Sequence, residues 1–413
     1  MPPTDCQSFW AGRDKGGDQC LMDAIRQQIE ELEEELIALR RDFHAHPEVG
    51  FEEHRTAAAV EAYLGQLGIA TCRMTGTGVV GIIQGTQLEP VLMLRADMDA
   101  LPVQEETGLP YQSQNEGVMH ACAHDAHTAI LLVAAKVLMQ HREQLKGTIK
   151  LVFQPNEENA GALPMIDDGV LENPKVNAAL GLHVWTPLKS GTVGLSSGGV
   201  MAGLDIFRIT IRGAGGHTGY PETARDPVIA AADLIQTAQR IQTREISLMK
   251  PTVIMFGKIS GGTKANIIPD TMTLEGSIRT LYDDREDRPV ERLRRLAEQV
   301  AATHGCTCEM TWFRENIPLI NHPAMTRLMT ETAARVMGDD ACILPYASMA
   351  SEDFSEFTAR VPGAFAFLGA GDEEKKTHYP HHHPKFDIDE SVLVKGVELL
   401  VKAATAYFEA PEG

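Results

Sequence analysis

A chain of 413 residues exceeds the usual ceiling for one domain and can bury a large core. Its 43% hydrophobic and 23% charged content is ordinary for a soluble globular protein. With 57 acidic against 37 basic residues the net charge is -20, which repels phosphate and argues against a nucleic-acid or anionic-membrane partner. The first twenty residues hold no apolar signal core, and no apolar run reaches membrane-spanning length. The seven cysteines are odd in number and scattered, so no disulfide framework is expected and a reducing cytoplasm is the default location. Cys306-Thr307-Cys308 reads as a chance strand pair.

Met22, Ile25, Ile29, Leu32, Leu36 and Leu39 recur at spacings of three and four and predict one amphipathic helix. It stops at His44-Ala45-His46-Pro47, too short for a sustained coiled coil. A second helix is predicted over 54–67, closing at Gly68. Strand-like runs follow at 77–85, 90–100, 147–155 and 178–185, several separated by helical patterns. That alternation predicts an α/β layered domain with a largely parallel sheet. From about Val200 the texture changes. "LDIFRITIRG" alternates as a strand, 222–242 is helical, "PTVIMFGKI" and "TMTLEGSIRT" are strands, 284–303 is a charged helix, and "CTCEMTWF" is a strand. This β-α-β-β-α-β order is that of a ferredoxin-like unit. After Asn321-His322-Pro323 the α/β texture returns, with strand "GAFAFLGAG" and a last helix near 390–408. The expected division is therefore a larger domain in two parts, 21–199 and 317–413, interrupted by an inserted unit at 200–316.

The stretch "VMHACAHDAHTAILLVA", residues 118–134, places three histidines, a cysteine and an aspartate within eight residues. His120 and His127, taken singly, read as satisfied histidines of a buried helix beginning near Thr128. Cys122-Ala123-His124 differs. On an extended segment leaving a strand, residues two apart face one point, and a thiolate with an imidazole suits a borderline divalent metal. Asp125 sits where it can orient a ligand histidine or cap the helix. Further donors fall at strand ends, where open α/β sheets place their ligands. They are Glu157-Glu158, His183 in "GLHVW", a histidine of "THYPHHHPKFD", and the supporting carboxylates Asp97 and Asp99. Of two adjacent glutamates, one can bind metal while its neighbour reaches a bound water.

In order, "RRDFHAHPEVGFEE", "RADMDALP", "MHACAHDAHTA", "FQPNEENAGA", "GLHVW", "GAGGHTGYPE", "ANIIPD", "GSIRT", "SEDF" and "YPHHHPKFD" resemble the motifs of the dinuclear-metal aminoacylase and carboxypeptidase (amidohydrolase) family. More narrowly they resemble the branch of hippurate hydrolases and auxin-conjugate hydrolases, over nearly everything from about residue 25 onward. The resemblance implies a zinc-peptidase-like α/β catalytic domain with an inserted ferredoxin-like α+β lid that dimerises. It implies two divalent ions per subunit, Mn or Zn foremost, with Co or Ni also compatible with the donor set. By position in the motifs, the metal ligands would be Cys122, His124, Glu158, His183 and His382. Glu157 would be the general base toward a metal-bound hydroxide, and Asp99 would orient a metal-site histidine. His217 would stabilise the oxyanion, often from the partner subunit, while Asn266 and Arg279 would contact substrate.

The implied activity is hydrolysis of a C–N bond, foremost the amide of an N-acyl or aryl-acyl amino acid. The substrate would be a small molecule bearing a carboxylate, and the assembly a homodimer or higher homo-oligomer. One alternative is an aminohydrolase of a substituted aromatic amine such as an anthranilate. Another, of a different class, is a catalytically silent metal-binding interaction protein; the retention of Glu157 beside five ligands speaks against it. The branch has glycine where Ala123, Ala126 and Ala350 stand here, so each adds a Cβ beside the expected metals.

Overall fold

The computed structural model describes residues 15–339 and 342–409. Helices α1 (Lys15–Glu31), α2 (Glu33–Ala45) and α3 (His54–Gln66) lead into strands β1 (Thr71–Met74), β2 (Gly78–Gln84) and β3 (Val91–Asp97). Then come α4 (His124–Gln140), β4 (Thr148–Gln154), α5 (Ala162–Asp167), β5 (Ala178–Lys189), β6 (Val193–Gly194) and β7 (Gly198–Met201). The inserted unit holds β8 (Gly203–Arg212), β9 (Gly216–His217), α6 (Pro227–Arg240), β10 (Thr252–Gly261), β11 (Ile267–Ile268), β12 (Thr271–Thr280), α7 (Pro289–Thr303) and β13 (Thr307–Asn316). The chain closes with β14 (Leu319–Asn321), α8 (Pro323–Met337), β15 (Ile343–Leu344), α9 (Ser355–Thr358), β16 (Gly363–Gly371) and α10 (Leu393–Glu409).

Eight strands form the main sheet in the order β1-β2-β4-β3-β5-β16-β6-β15. The parallel pairing predicted for it holds at its centre, through β4, β3, β5 and β16. The flanks turn antiparallel at β1–β2–β4 and at β6–β16, while β15 pairs in parallel with β6 at the far edge; of these pairs only β1–β2 is joined by a short hairpin. Helix α4 lies against β3, α2 and α10. From Ala129 to Ala135 its every side chain is fully buried, as expected of a helix that is apolar all round. A second apolar layer, with Trp185, Phe354, Phe357 and Phe365, covers the opposite face of the sheet.

The first amphipathic stripe does not form one helix. The chain breaks at Leu32 (φ -96°, ψ 3°), where its N–H bonds Ile29 O at 3.0 Å in a tighter turn. The break lets Ile25 and Ile29 on one half, and Leu36 and Phe43 on the other, enter the same core from differently directed segments. The helix expected over 222–242 starts only at Pro227, where the Asp226 carboxylate caps it by accepting from Val228 N–H. Likewise the helix expected from 284 begins at Pro289.

The inserted unit keeps the β-α-β-β-α-β order, and its sheet runs β10-β12-β8-β13, all antiparallel. It has a core of its own, with Phe207, Ile209 and Leu274 from the sheet and Leu234 and Leu293 from the helices. Strand β10 is an edge and leaves Met255 and Ile259 exposed. Of the cysteines, Cys72, Cys122, Cys306, Cys308 and Cys342 are free, and Cys6 lies outside the described residues. No described helix is long and apolar enough to cross a membrane.

Leu131 is fully buried at the centre of α4. Leu131→Ala is expected to lower unfolding stability by about 2–5 kcal/mol, read as a reduced urea midpoint at unchanged slope.

Candidate metal centre

Four segments deliver the donors, and three of them carry residues in the left-handed backbone region. Ala123 has φ 69°, Asn156 54°, Ala160 62° and His382 66°. For residues with a Cβ this conformation costs roughly 1–2 kcal/mol each, and it persists where the surroundings over-determine it. Ala123 reverses the chain so that its carbonyl accepts from Ala126 and His127 N–H. Helix α4 therefore starts at His124, not near Thr128. Cys122 and His124 do not share an extended segment as expected; one lies in the bend and the other opens the helix. At Asn156 the backbone N–H is held by Glu53 Oε1 at 2.9 Å. Gly50 must be glycine-like there, since a Cβ would stand 1.8 Å from Asn156 Oδ1.

Among five overlapping groups whose ligand atoms lie within 4.8 Å of one another, Asp97–His124–His127 and Glu157–Glu352–Asp353 included, three bring the expected donors together. These three are Cys122–Glu158–His382, His124–Glu157–Glu158 and Cys122–His183–His381. Glu158 is common to the first two and Cys122 to the first and third, an arrangement suited to two adjacent cations. The finer geometry fits such a pair. His124 Nδ1 donates to Asp99 O (2.9 Å) and Asp99 Oδ1 (3.1 Å), leaving Nε2 buried without a hydrogen-bond partner. His183 Nδ1 donates to Val184 O (2.8 Å), and its Nε2 stands 3.6 Å from Cys122 Sγ. Glu158 Oε1 is likewise buried and unpartnered, 3.2 Å from His382 Nε2 without hydrogen-bond geometry. A buried polar atom left unpaired costs about 1–3 kcal/mol, and a cation removes that cost at all these atoms together. Asp99 also accepts from Glu158 N–H through Oδ2 (3.1 Å), so one carboxylate orients donors from two segments.

The electrostatics point the same way. Burial, then Glu158, Glu157 and Asp97, hold the Cys122 thiol well above its ordinary value. Burial, then Glu352, Glu158 and Asp353, push Glu157 well above the usual carboxylate range. Burial alone would lower His124, but Asp97, Asp99 and Glu158 outweigh it and raise the ring to about 10. Burial, then His127 and His381, hold His183 well below the ordinary imidazole value. A thiol, a carboxyl and an imidazole all pushed upward reflect crowded negative charge, which divalent cations would offset.

Several expectations change. Asp125 neither caps α4 nor orients a ligand histidine. Its Oδ2 accepts from His44 Nδ1 (2.7 Å) and Arg40 Nε (2.9 Å), because the helix begins one residue before it and turns its carboxylate toward α2. His120 is buried but not satisfied: neither ring nitrogen has a hydrogen-bond partner, and burial pushes it down to about 4. His127 is satisfied, between Asp97 and Val184. His381, passed over in the sequence in favour of His382, also reaches the cluster. It stacks on Trp185 at 4.3 Å and bonds Val184 O through Nε2.

Sequence reasoning also assigned no role to Arg95, Glu352 and Asp353. Arg95 donates to Asp97, Glu352 and Asp353 at 2.6–3.0 Å, and Asp353 N–H faces Glu157 Oε1 at 3.4 Å. The signals were "RADMDALP" for Arg95 and "SEDF" for Glu352 and Asp353, neither of which carries periodicity. Arg279 of β12 donates to Met349 O (2.9 Å) and Ser351 Oγ (3.3 Å), joining the inserted unit to that segment. His217 is exposed on β9, with Nδ1 accepting from Gly219 N–H, and Asn266 is exposed beside it. Among the described residues, no hydrogen bond or ion pair joins either side chain to the metal cluster.

A parallel-centred sheet with donors at its strand ends and an inserted α+β unit defines a dinuclear metallohydrolase. The chain belongs to the peptidase family M20/M25/M40, whose profile matches residues 93–406. It is 39% identical over 385 residues to the N-acetyl-L-cysteine deacetylase of Bacillus subtilis, covering 92% of this chain and 90% of that protein. It is 36% identical over 381 residues to the IAA-amino acid hydrolase ILR1-like 5 of Arabidopsis thaliana, covering 90% and 86%. The Bacillus subtilis YXEP protein, a dinuclear metal binding peptidase of the M20 family, superposes with a TM-score of 0.81 at 34% identity, covering 92% of this chain and 99% of that one. The chain is a metal-dependent amidohydrolase.

Because Asp99 orients both His124 and Glu158, Asp99→Ala is expected to weaken divalent-metal affinity about 10- to 100-fold. Competition against a chromophoric chelator measures it.

Proposed function

We propose that this enzyme hydrolyses the amide of a small N-acyl amino acid, with Cys122, His124, Glu158, His183 and His382 holding two divalent ions. The observation that carries the reading is the placing of Glu157. It is buried beside the shared ligand Glu158, its Oε2 3.9 Å from His124 Nε2, with its proton affinity raised. When bound, a pair of divalent ions supplies an activated water and a Lewis acid for the scissile carbonyl. With the neighbouring carboxylates offset by the cations, the ionised Glu157 would take the water's proton and return it to the leaving amine. Asp99 keeps His124 and Glu158 in place throughout. The names of the deacetylase and the IAA-amino acid hydrolase both specify cleavage at a substituted amino acid, which supports this substrate class.

The inserted unit acts as a lid in this reading. Asn266 and Arg279 recognise the substrate carboxylate, and His217 donates to the oxyanion from the partner subunit of a homodimer. Supporting this are the exposure of His217 and Asn266, which among the described residues make no side-chain bond to their own chain's cluster, and the edge strand β10 with its exposed Met255 and Ile259.

Three outcomes are expected. Glu157→Gln retains metal and loses about a hundredfold to ten-thousandfold in turnover, whereas Glu158→Gln loses metal; swapped phenotypes would reverse the two roles. Turnover of a panel of N-acyl amino acids releases a carboxylic acid; release of ammonia alone would instead indicate an aminohydrolase. Mixing His217→Ala chains with Glu157→Gln chains under subunit exchange restores activity, since one site of each mixed dimer is then intact; a dead mixture, with exchange confirmed by mass, refutes the shared site.

The proton balance gives a fourth. Cys122 and His124 both hold protons at neutral pH in the metal-free protein, so a bound ion must displace them. Affinity should therefore rise with pH from 6 toward about 10 (the value for His124), and calorimetry in buffers of different protonation enthalpy should show net proton release.

A further inference from the structure

Strands β3 and β5 pair in parallel from Leu92↔Ala178 to Arg95↔Gly181, and there the ladder ends. Beyond that point β3 stays paired with β4 as far as Asp97↔Gln154, and β5 stays with β16 through Val184↔Leu368. The sheet thus splits down its middle, and the metal cluster lies at the mouth of the split. One side chain spans it. His127 Nδ1 lies 2.6 Å from Asp97 Oδ1 on the β3 side, and its Nε2 accepts from Val184 N–H at 2.8 Å on the β5 side.

The backbone amide can only donate, so Nε2 offers its lone pair and the ring's proton sits on Nδ1, shared with Asp97. Both nitrogens are then in use, which removes His127 from the Asp97–His124–His127 group as a metal donor. The residue it fixes is not an ordinary one. Val184 O accepts from His183 Nδ1 (2.8 Å) and from His381 Nε2 (3.1 Å), so its orientation sets the tautomers of both rings that reach Cys122. The His127 ring also meets His183 edge-on, with centroids 4.5 Å apart.

We propose that His127 is a positioning residue: a side-chain rung across the split between β3 and β5 that aligns Val184 and thereby presents His183 to the metal. The inference rests on the reading of His183 as a ligand. It concerns bonding rather than bulk, so two replacements separate the causes. Phenylalanine fills the ring's space with neither bond, whereas the glutamine amide can accept from Val184 N–H and donate to Asp97.

Cobalt(II) titration of the full-length protein, followed through the thiolate-to-cobalt absorption and by chelator competition, reads the alignment. His127→Phe should weaken cobalt binding about 10- to 100-fold and alter the band, and His127→Gln should recover most of that loss. Nitrogen-15 shifts of labelled histidines in the metal-free wild type read the rung independently, with a protonated Nδ1 and an unprotonated Nε2 expected for His127. A His127→Phe protein that binds cobalt like the wild type, or a glutamine variant no better than phenylalanine, overturns the proposal. A proton on Nε2 overturns it even where the phenylalanine variant fails to fold. A wild-type chain that takes up no cobalt overturns the metal reading on which it rests, and the nitrogen shifts show whether the rung itself stands.

Discussion

A surplus of buried negative charge at the ends of β3, β4 and β5 governs this molecule. Asp97, Asp99, Glu157, Glu352 and Asp353 are gathered and buried, with Cys122 and the partly exposed Glu158 beside them. The guanidinium of Arg95 is already engaged by Asp97, Glu352 and Asp353. Buried charges that are not paired shift their protonation or find a counter-ion. Without cations the crowding favours protons on Cys122, Glu157 and His124; in the proposed reading, two cations would turn the same groups into ligands and a base. His124 and His183 each donate from Nδ1 to an oxygen, so both rings turn Nε2 toward the cluster.

Holding such a cluster open requires bracing from distant segments, and much of it comes from the first fifty residues. Arg40, fully buried on α2, donates to Asp125 at the start of α4 and to Asp387 and Glu390 beyond the histidine-rich loop. One side chain thereby ties together two of the donor-bearing segments. Glu53 does the same for a third, through Asn156 N–H and the Thr77 hydroxyl. Removing one partner of such a buried pair typically costs about 3–5 kcal/mol, so the helices ahead of the sheet brace the candidate donor segments energetically. The left-handed Ala123, Asn156, Ala160 and His382 are tolerated for the same reason: bonds from several directions leave them no relaxed alternative.

The inserted unit divides the labour differently. Its core is separate from that of the main sheet, and Arg279 links it to the segment carrying Glu352 and Asp353 by bonds to Met349 O and Ser351 Oγ. A unit that packs independently and touches the site through a few polar contacts can move as a body, which suits a lid that excludes water during reaction.

How much of this was legible in the chain follows from the range of each interaction. Apolar periodicity is local, so β3, β4, β5, β16, the core of α4 and the β-α-β-β-α-β unit could be read directly. Donor chemistry at strand ends is also local, and it marked Cys122, His124, Glu157, Glu158 and His183 before any coordinates. What failed was of two kinds. Helix starts and breaks, at Leu32, His124 and Pro227, depend on one residue's dihedrals or on which neighbour a segment must meet. The partners of buried polar groups depend on residues far apart in sequence. Asp125 looked like a cap and is bound by Arg40 and His44 some eighty residues earlier. His381 and His382 are indistinguishable as letters, and both approach the cluster only because His382 adopts a left-handed turn. The sequence by itself determined most of the elements, the candidate donors and the class of chemistry, since these rest on residue type and short spacing. Only the tertiary structure decided which polar groups meet, because a hydrogen bond or an ion pair is defined by distance in space, and the chain alone does not state it.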